Sequence, residues 1–299
     1  MPFLVEIKKK IGAVQNTRKI TKAMELVAAS RMKQFQRKAF GSRTYAWSLL
    51  DALRQDVVQL HETRFGEIRE PGRVLFVLLT SDKGLCGSLN QQLIRTLWKS
   101  PRWTALAPED RALITVGRKS FEAATHMGVQ PLKHFEGLSE QMTALKAMPV
   151  IDHILGYWER KEVKEVILIS PQYVNPFTFH ATSKTYLPFT DEMIQHHLQW
   201  RTASSKEGAV ASLATVDLHE PSKEEVSEAL ATQIVEMLFV QAFYELKATE
   251  YSSRMVAMKN ATEAADEMVR SLTLSYNKAR QTAITQQLAE LTGGTLAVE

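Results

Sequence analysis

Apolar residues early in the chain recur at helical spacing: Ile7, Ile11 and Val14, then Ile20, Met24 and Val27, then Ala46, Leu50, Leu53, Val57 and Leu60. No proline falls between Pro2 and Pro71, and glycine occurs there only at Gly12, Gly41 and Gly66. Both residues disfavour long helices, so their scarcity over a helical period predicts one long helix, amphipathic in stretches. From Arg73 the pattern changes to short β-branched runs: RVLFVLLT at 73–80, ALITV at 112–116 and VKEVILIS at 163–170. These read as buried strands. Helix-like segments near 90–99, 119–127 and 139–160 alternate with them, which predicts a mostly parallel sheet with helices packed on it. The Thr-, Phe- and Tyr-rich stretch from Pro171 to Pro188 reads as irregular strand or hairpin, and 200–221 as a polar connection.

After Pro221, 71 consecutive residues lack glycine and proline, up to Gly293. A continuous helix of that length extends roughly 105 Å, too long for a globular core. A three-then-four repeat runs through Met255, Met258, Thr262, Ala265, Val269, Leu272, Tyr276, Ala279, Ala283 and Gln286, and eight of the ten are apolar, small or aromatic. That is the period of a left-handed coiled coil. Such a stripe needs a cover, and the N-terminal helix is the natural one; pairing two chain ends around an inserted domain requires an antiparallel arrangement. The expected division is a coiled-coil helix at 1–70, an α/β domain at 71–200, the connection at 201–221 and a second coiled-coil helix at 222–299.

Of the 299 residues 44% are hydrophobic and 23% charged, an ordinary soluble composition. The start MPFLVEIKKKIG has no apolar run long enough for a signal peptide, and no window approaches the roughly 20 apolar residues of a membrane span, so a soluble or peripherally docked protein is expected. One cysteine, Cys86, excludes an intrachain disulfide and a cysteine-rich metal site and suits a reducing compartment. Charge is uneven: residues 1–40 hold ten Lys or Arg against Glu6 and Glu25, a local +8 within a net +4. A basic helix of this kind fits nucleic acid, anionic lipid or an acidic protein partner. A nucleic-acid-associated coiled coil is therefore the alternative reading, weakened because Phe35 is the sole aromatic between Phe3 and Phe40.

The loop from Ser81 to Asn90 follows a strand and opens a helix, where a phosphate-binding loop would sit. It contains no Gly-Lys-Ser/Thr triplet and no G-x-G-x-x-G, so Gly84 and Gly87 read as backbone turns and points of close helix-to-strand approach. Cys86 at a helix start could be a nucleophile but reads as a small core residue. His61-Glu62 is followed by Phe65 where zinc spacing requires histidine, and His196 and His197 are adjacent, so neither pair forms a metal site. Acids are scattered without a pair for acid-base work. No catalytic, cofactor-binding or metal residues are assigned, and the chain is read as not an enzyme by itself.

Three segments together resemble the gamma subunit family of F-type ATP synthases. They are Gln15-Asn16-Thr17-Arg18-Lys19-Ile20-Thr21-Lys22-Ala23-Met24 with Val27-Ala28-Ala29-Ser30; the Gly84-Leu85-Cys86-Gly87 loop; and Arg254-Met255-Val256-Ala257-Met258-Lys259-Asn260-Ala261-Thr262 with Tyr276-Asn277-Lys278-Ala279-Arg280-Gln281, Ile284-Thr285 and Gly293-Gly294. Lys83, Ser88 and Gln287 depart from the family pattern, Gln287 replacing an acid, and Gln195–Ser205 is the least similar stretch. The resemblance implies an α/β fold class in which a long antiparallel two-helix coiled coil, formed by the N- and C-terminal helices, carries an inserted Rossmann-like domain. It implies a non-catalytic central rotor shaft that couples proton-driven rotation to conformational change in a ring of alpha and beta subunits, the catalytic sites lying on beta. Epsilon and the c-ring are the implied partners of the α/β domain, with no nucleic acid and no membrane contact except through the c-ring. The implied place is the cytoplasmic face of a bacterial inner membrane. Lys22, Met24, Arg254, Arg280, Gln281 and Thr285 are the expected shaft residues touching alpha and beta, and Gly84, Cys86 and Gly87 the structural loop.

Overall fold

The computed structural model describes residues 2–55, 63–190, 192–195, 197 and 222–296. The helical positions Val57 and Leu60, the His61-Glu62 pair, His196 and the connection at 201–221 lie outside those residues. Two long helices bracket the chain, α1 (Pro2–Gln55) and α6 (Lys223–Leu296), with the strands between them, as the pattern of breakers and apolar runs predicts. One boundary differs. The backbone of α6 runs through Gly293 and Gly294 to Leu296 instead of ending at Gly293, because a helical glycine costs about 1 kcal/mol without breaking the hydrogen-bond ladder.

Residue contacts group the chain into two compact units, Met1–Ser30 with Arg254–Glu299, and Arg31–Ser253. In the first, the predicted stripe on α6 is the enclosed face. Met258, Thr262 and Ala265 are buried, Val269, Leu272, Tyr276, Ala279 and Ala283 half-buried, and Gln286 exposed. On α1 the expected Ile7, Ile11 and Val14 are enclosed, but the pattern departs from expectation further along. The enclosed positions step by four and three through Ile7, Ile11, Val14, Thr21, Glu25 and Ala28, with Arg18 completing the series. Ile20 and Val27 each fall one position off this seam and are 61% exposed. Polar groups fill the layers they leave: the Thr21 and Thr262 hydroxyls meet at 2.8 Å, and the Arg18 guanidinium pairs with Asp266. Higher numbers on α1 meet lower ones on α6, so the pairing is antiparallel.

The second unit holds a five-stranded sheet in the order β3-β2-β1-β4-β5, from β1 (Arg73–Leu79), β2 (Arg111–Val116), β3 (Lys133–Phe135), β4 (Val163–Asn175) and β5 (Thr178–Leu187). Pairings β1–β2, β1–β4 and β2–β3 are parallel, and β4–β5 is an antiparallel hairpin. Helices α2 (Leu89–Trp98), α3 (Pro101–Thr104), α4 (Arg118–His126) and α5 (Ala144–Glu159) connect the strands. All residues of β1 after Arg73 are buried, which is why its run is continuously apolar instead of alternating. α5 starts at Ala144, later than the helix-like segment suggests, where the Thr143 hydroxyl caps the Lys146 N–H at 3.3 Å. α6 contains an 18-residue window of mean hydropathy 1.2, half of it buried, which corrects the reading that no span-like window exists. Ala231, Ile234, Val235, Leu238 and Phe239 use that apolar surface in the core shared with the sheet. The inner segments of the long helices are antiparallel here too: Phe35 stacks on Tyr251 at 5.4 Å and Arg43 pairs with Glu245.

Candidate functional site

In doubly wound sheets a ligand crevice opens beyond the carboxyl ends of the strands, where the strand order reverses. Here that point lies at β1, with β2 on one side and β4 on the other. The chain's own loop takes the donors at the nearby helix start. Asp82 Oδ1 accepts from the Arg118 N–H at 3.1 Å, the Ser81 carbonyl from Lys119 N–H at 3.3 Å and Thr80 Oγ1 from Ser120 N–H at 2.7 Å. These are the first N–H groups of α4, the groups that would otherwise cradle an anion. The second Asp82 oxygen accepts from the Gly137 N–H at 3.3 Å, so one carboxylate ties the loops after β1, β2 and β3.

The Gly84–Gly87 turn is held from within. Asn90 Nδ2 donates to Ser81 Oγ at 2.8 Å and to Cys86 Sγ at 3.3 Å, and the Ser81 hydroxyl donates to the Lys83 carbonyl at 2.7 Å. Cys86 is 2% exposed and belongs to the sheet core. Gly87 has the left-handed φ of +58° that glycine supplies, whereas Gly84 has open space around it, and Leu85 carries a second positive φ of 61°. The close backbone approach expected at Gly84 occurs instead at Gly117, a residue no motif marks: its φ is +93°, and a Cβ there would stand 2.1 Å from the Thr80 carbonyl oxygen. α6 passes over this end of the sheet. The Ser253 carbonyl lies 4.0 Å from a Cβ position on Gly87, and the Tyr244 and Tyr251 hydroxyls bond to the Met142 carbonyl and to Glu140.

The expected shaft residues do not gather at one place. Lys22 is exposed and pairs with Glu25 at 3.0 Å, and Met24 beside it is half-buried. Arg254 is only 8% exposed. Arg280, Gln281 and Thr285 are exposed on α6, where the Thr285 hydroxyl donates to the Gln281 carbonyl at 3.0 Å. Gln281 is 27 residues from Arg254 along one helix, about 40 Å at 1.5 Å per residue, so the set forms separate bands. Periodicity placed Ile20 and Val27 in the covered stripe of α1 and passed over the other apolar side chains that lie outside the seam. Ile20, Leu26 and Val27 on α1, and Met268, Leu274, Ile284 and Leu288 on α6, are 47–72% exposed. For the α6 residues the signal was in the sequence, as large apolar residues out of phase with the stripe. Among the described residues no group of three or more His, Cys, Asp or Glu could hold a metal ion.

The architecture is that of a paired-helix protein carrying an inserted Rossmann-like sheet, with the anion-binding helix start occupied by its own loop. A sequence model of the ATP synthase family matches residues 4–298. Curated relatives named ATP synthase gamma chain include those of Polaromonas naphthalenivorans, 33% identical with 98% of each chain covered, and Acidithiobacillus ferrooxidans, 34% identical with the same coverage. The fold resembles a chain of the Euglena gracilis mitochondrial ATP synthase rotor, with a TM-score of 0.64 at 16% identity over 95% of this chain and 99% of that one. It also resembles a chain of the Tetrahymena thermophila mitochondrial central stalk and c-ring, with a TM-score of 0.57 at 22% identity over 81% of this chain and 99% of that one. The chain belongs to the ATP synthase gamma-chain family. Membership replaces the reading of the basic N-terminal helix as a nucleic-acid arm.

Proposed function

We propose that this chain is the central rotor shaft of a bacterial F-type ATP synthase. It stands within a ring of alpha and beta subunits whose beta members carry the catalytic sites, at the cytoplasmic face of the inner membrane. Residues 71–200 form the part that meets epsilon and the c-ring, and the terminal helix segments meet the ring. The observation that carries this reading, beside family membership, is the apolar outer surface of the unit built from 1–30 and 254–299. Eight large apolar side chains of the described residues, Val5 among them, stand 47–72% exposed there, on helices whose inner seam is already covered. Exposed apolar surface of that extent marks a binding surface. Lys22 and Met24 form one proposed contact band and Arg280, Gln281 and Thr285 another; Arg254 acts from a buried position on the far side of the Lys22 band from Arg280. Rotation presents these bands to each beta subunit in turn, and the differential contact favours a different conformation in each.

Co-expression with alpha and beta subunits tests the reading. The chain is expected to co-purify with them and to be required for coupled turnover, while the isolated chain shows no ATPase activity and binds ATP no better than millimolar. Turnover by the isolated chain that survives removal of contaminating beta subunit contradicts the proposal.

A further inference from the structure

β1 pairs with β4 only as far as Leu78↔Ile169, yet β4 continues to Asn175, paired on its other side with β5. Past Ile169 the β1-facing edge of β4 therefore has no strand to pair with, and buried backbone groups on it need partners. At Tyr173 both groups are served by side chains. Its N–H donates to Glu245 Oε2 at 3.1 Å, and its carbonyl accepts from Arg43 Nη2 at 2.8 Å. Arg43 Nε donates to the other Glu245 oxygen at 3.0 Å, which also accepts from Gln241 Nε2 at 3.1 Å. The Arg43 and Glu245 side chains are 6% and 5% exposed. The pair thus offers β4 one donor and one acceptor, as the next residue of a neighbouring strand would. Arg43 comes from α1 and Glu245 from α6, so a single cluster joins both long helices to the sheet. The Tyr173 ring packs with Phe35, Ala39 and Ala248 from the same two helices. Lys184 on β5 also faces the cluster, where burial lowers its pKa, Glu245 favours its charge and Arg43 opposes it.

We propose that Arg43 and Glu245 are positioning residues for torque transfer: acting as a surrogate strand on Tyr173, they clamp the β4–β5 hairpin to α1 and α6, so that sheet and helices turn as one body. The inference rests on the rotor reading. A surface contact can slip under load, but a clamp with two backbone hydrogen bonds and a buried ion pair has one geometry, and breaking it strands charges in the interior.

The clamp predicts an asymmetry that a plain ion pair does not. Exchanging the charges, Arg43→Glu with Glu245→Arg, restores attraction between the side chains but turns a donor toward the Tyr173 N–H and an acceptor toward its carbonyl. In assembled complexes the exchanged chain is expected to retain ATP hydrolysis and lose proton pumping per ATP severalfold, with Tyr173 amide hydrogen exchange faster by about tenfold, the worth of one hydrogen bond. Glu245→Gln keeps an acceptor for the N–H, removes the charge, and is expected to assemble with a smaller loss of pumping per ATP; it decides the matter where the exchanged chain fails to fold. Wild-type pumping per ATP in Glu245→Gln, or full recovery in the exchanged chain, overturns the clamp. Failure of the wild-type chain to assemble with alpha and beta would instead overturn the rotor reading.

Discussion

Three glycines give a graded test of the local geometry, each replaced by alanine in the isolated chain. Gly117 is the severe case. Its backbone, at φ 93° and ψ 145°, lies in a region essentially restricted to glycine, at a cost of about 1–3 kcal/mol for any other residue. The added Cβ would also stand 2.1 Å from the Thr80 carbonyl oxygen and 2.8 Å from its carbon, so β1 and the start of α4 must separate. Overpacking of this kind costs about 1–3 kcal/mol. The same movement strains the Thr80 N–H bond to the Val116 carbonyl and the Ser120 N–H bond to Thr80 Oγ1. Together about 3–5 kcal/mol is expected, a large share of a domain's roughly 5–15 kcal/mol. Gly87 also has a positive φ, but its nearest obstacle is 4.0 Å away, so only the conformational cost of about 1–2 kcal/mol applies. Gly41 sits in the interior of α1 with nothing within 4 Å, and alanine there should stabilise by about 0.5–1 kcal/mol. Urea unfolding followed by circular dichroism reads all three. An alanine at 117 no more damaging than one at 87 refutes the close approach of α4 to β1, and with it the filling of the helix start by the loop.

Other consequences follow from the helices and the buried tyrosine. Met24→Lys adds a cation on a half-buried seam-flanking position, and is expected to lower proton pumping per ATP hydrolysed more than it lowers thermal stability; an unchanged ratio removes Met24 from the torque surface. Ala265→Pro, at a buried seam position, should cost about 3 kcal/mol or more and abolish coupling, and retention of coupled pumping would show that the seam there is dispensable. Burial holds the Tyr186 hydroxyl, which donates to the Val235 carbonyl, far above the usual tyrosine range. Below about pH 10 both folded and unfolded states keep that proton; above it only the unfolded chain releases it, so stability falls with pH by up to about 1.4 kcal/mol per unit. Tyr186→Phe should flatten this alkaline slope in pH-dependent unfolding, and an unaltered slope would place the ionisation elsewhere. Lys184 works in the opposite sense, since burial lowers its pKa and stability rises with pH up to the unfolded value near 10.5.

The parts of the fold legible in the sequence were those with one dominant physical cause. β1 and β2 past their first residues, and β4 over Val166–Ser170, are buried on both faces, so their apolar runs stand out. The α6 stripe shows because its seam positions are also its apolar ones. On α1 the two agree at Ile7, Ile11 and Val14 and then part: the seam passes through Arg18, Thr21 and Glu25, while Ile20 and Val27 look outward, so over that stretch hydrophobic periodicity selects the wrong face. β3, three residues long and partly exposed, is too short to have a period. Arg43 and Glu245 lie 202 residues apart, each looking like an ordinary charge on the solvated side of a helix, and only the fold shows that both end inside. Gly117 carries no motif, because what it accommodates is a carbonyl from another strand.

The apolar side chains outside the seam also bear on how the protein must be made. A chain synthesised in excess of its ring partners would display Ile20, Leu26, Val27 and Leu274 to every other unfolded or half-assembled polypeptide in the cell. Such surface is where aggregation and chaperone capture begin. Matched production of this chain and the subunits that enclose it is thus a requirement written into its surface, and unassembled copies are natural targets for degradation.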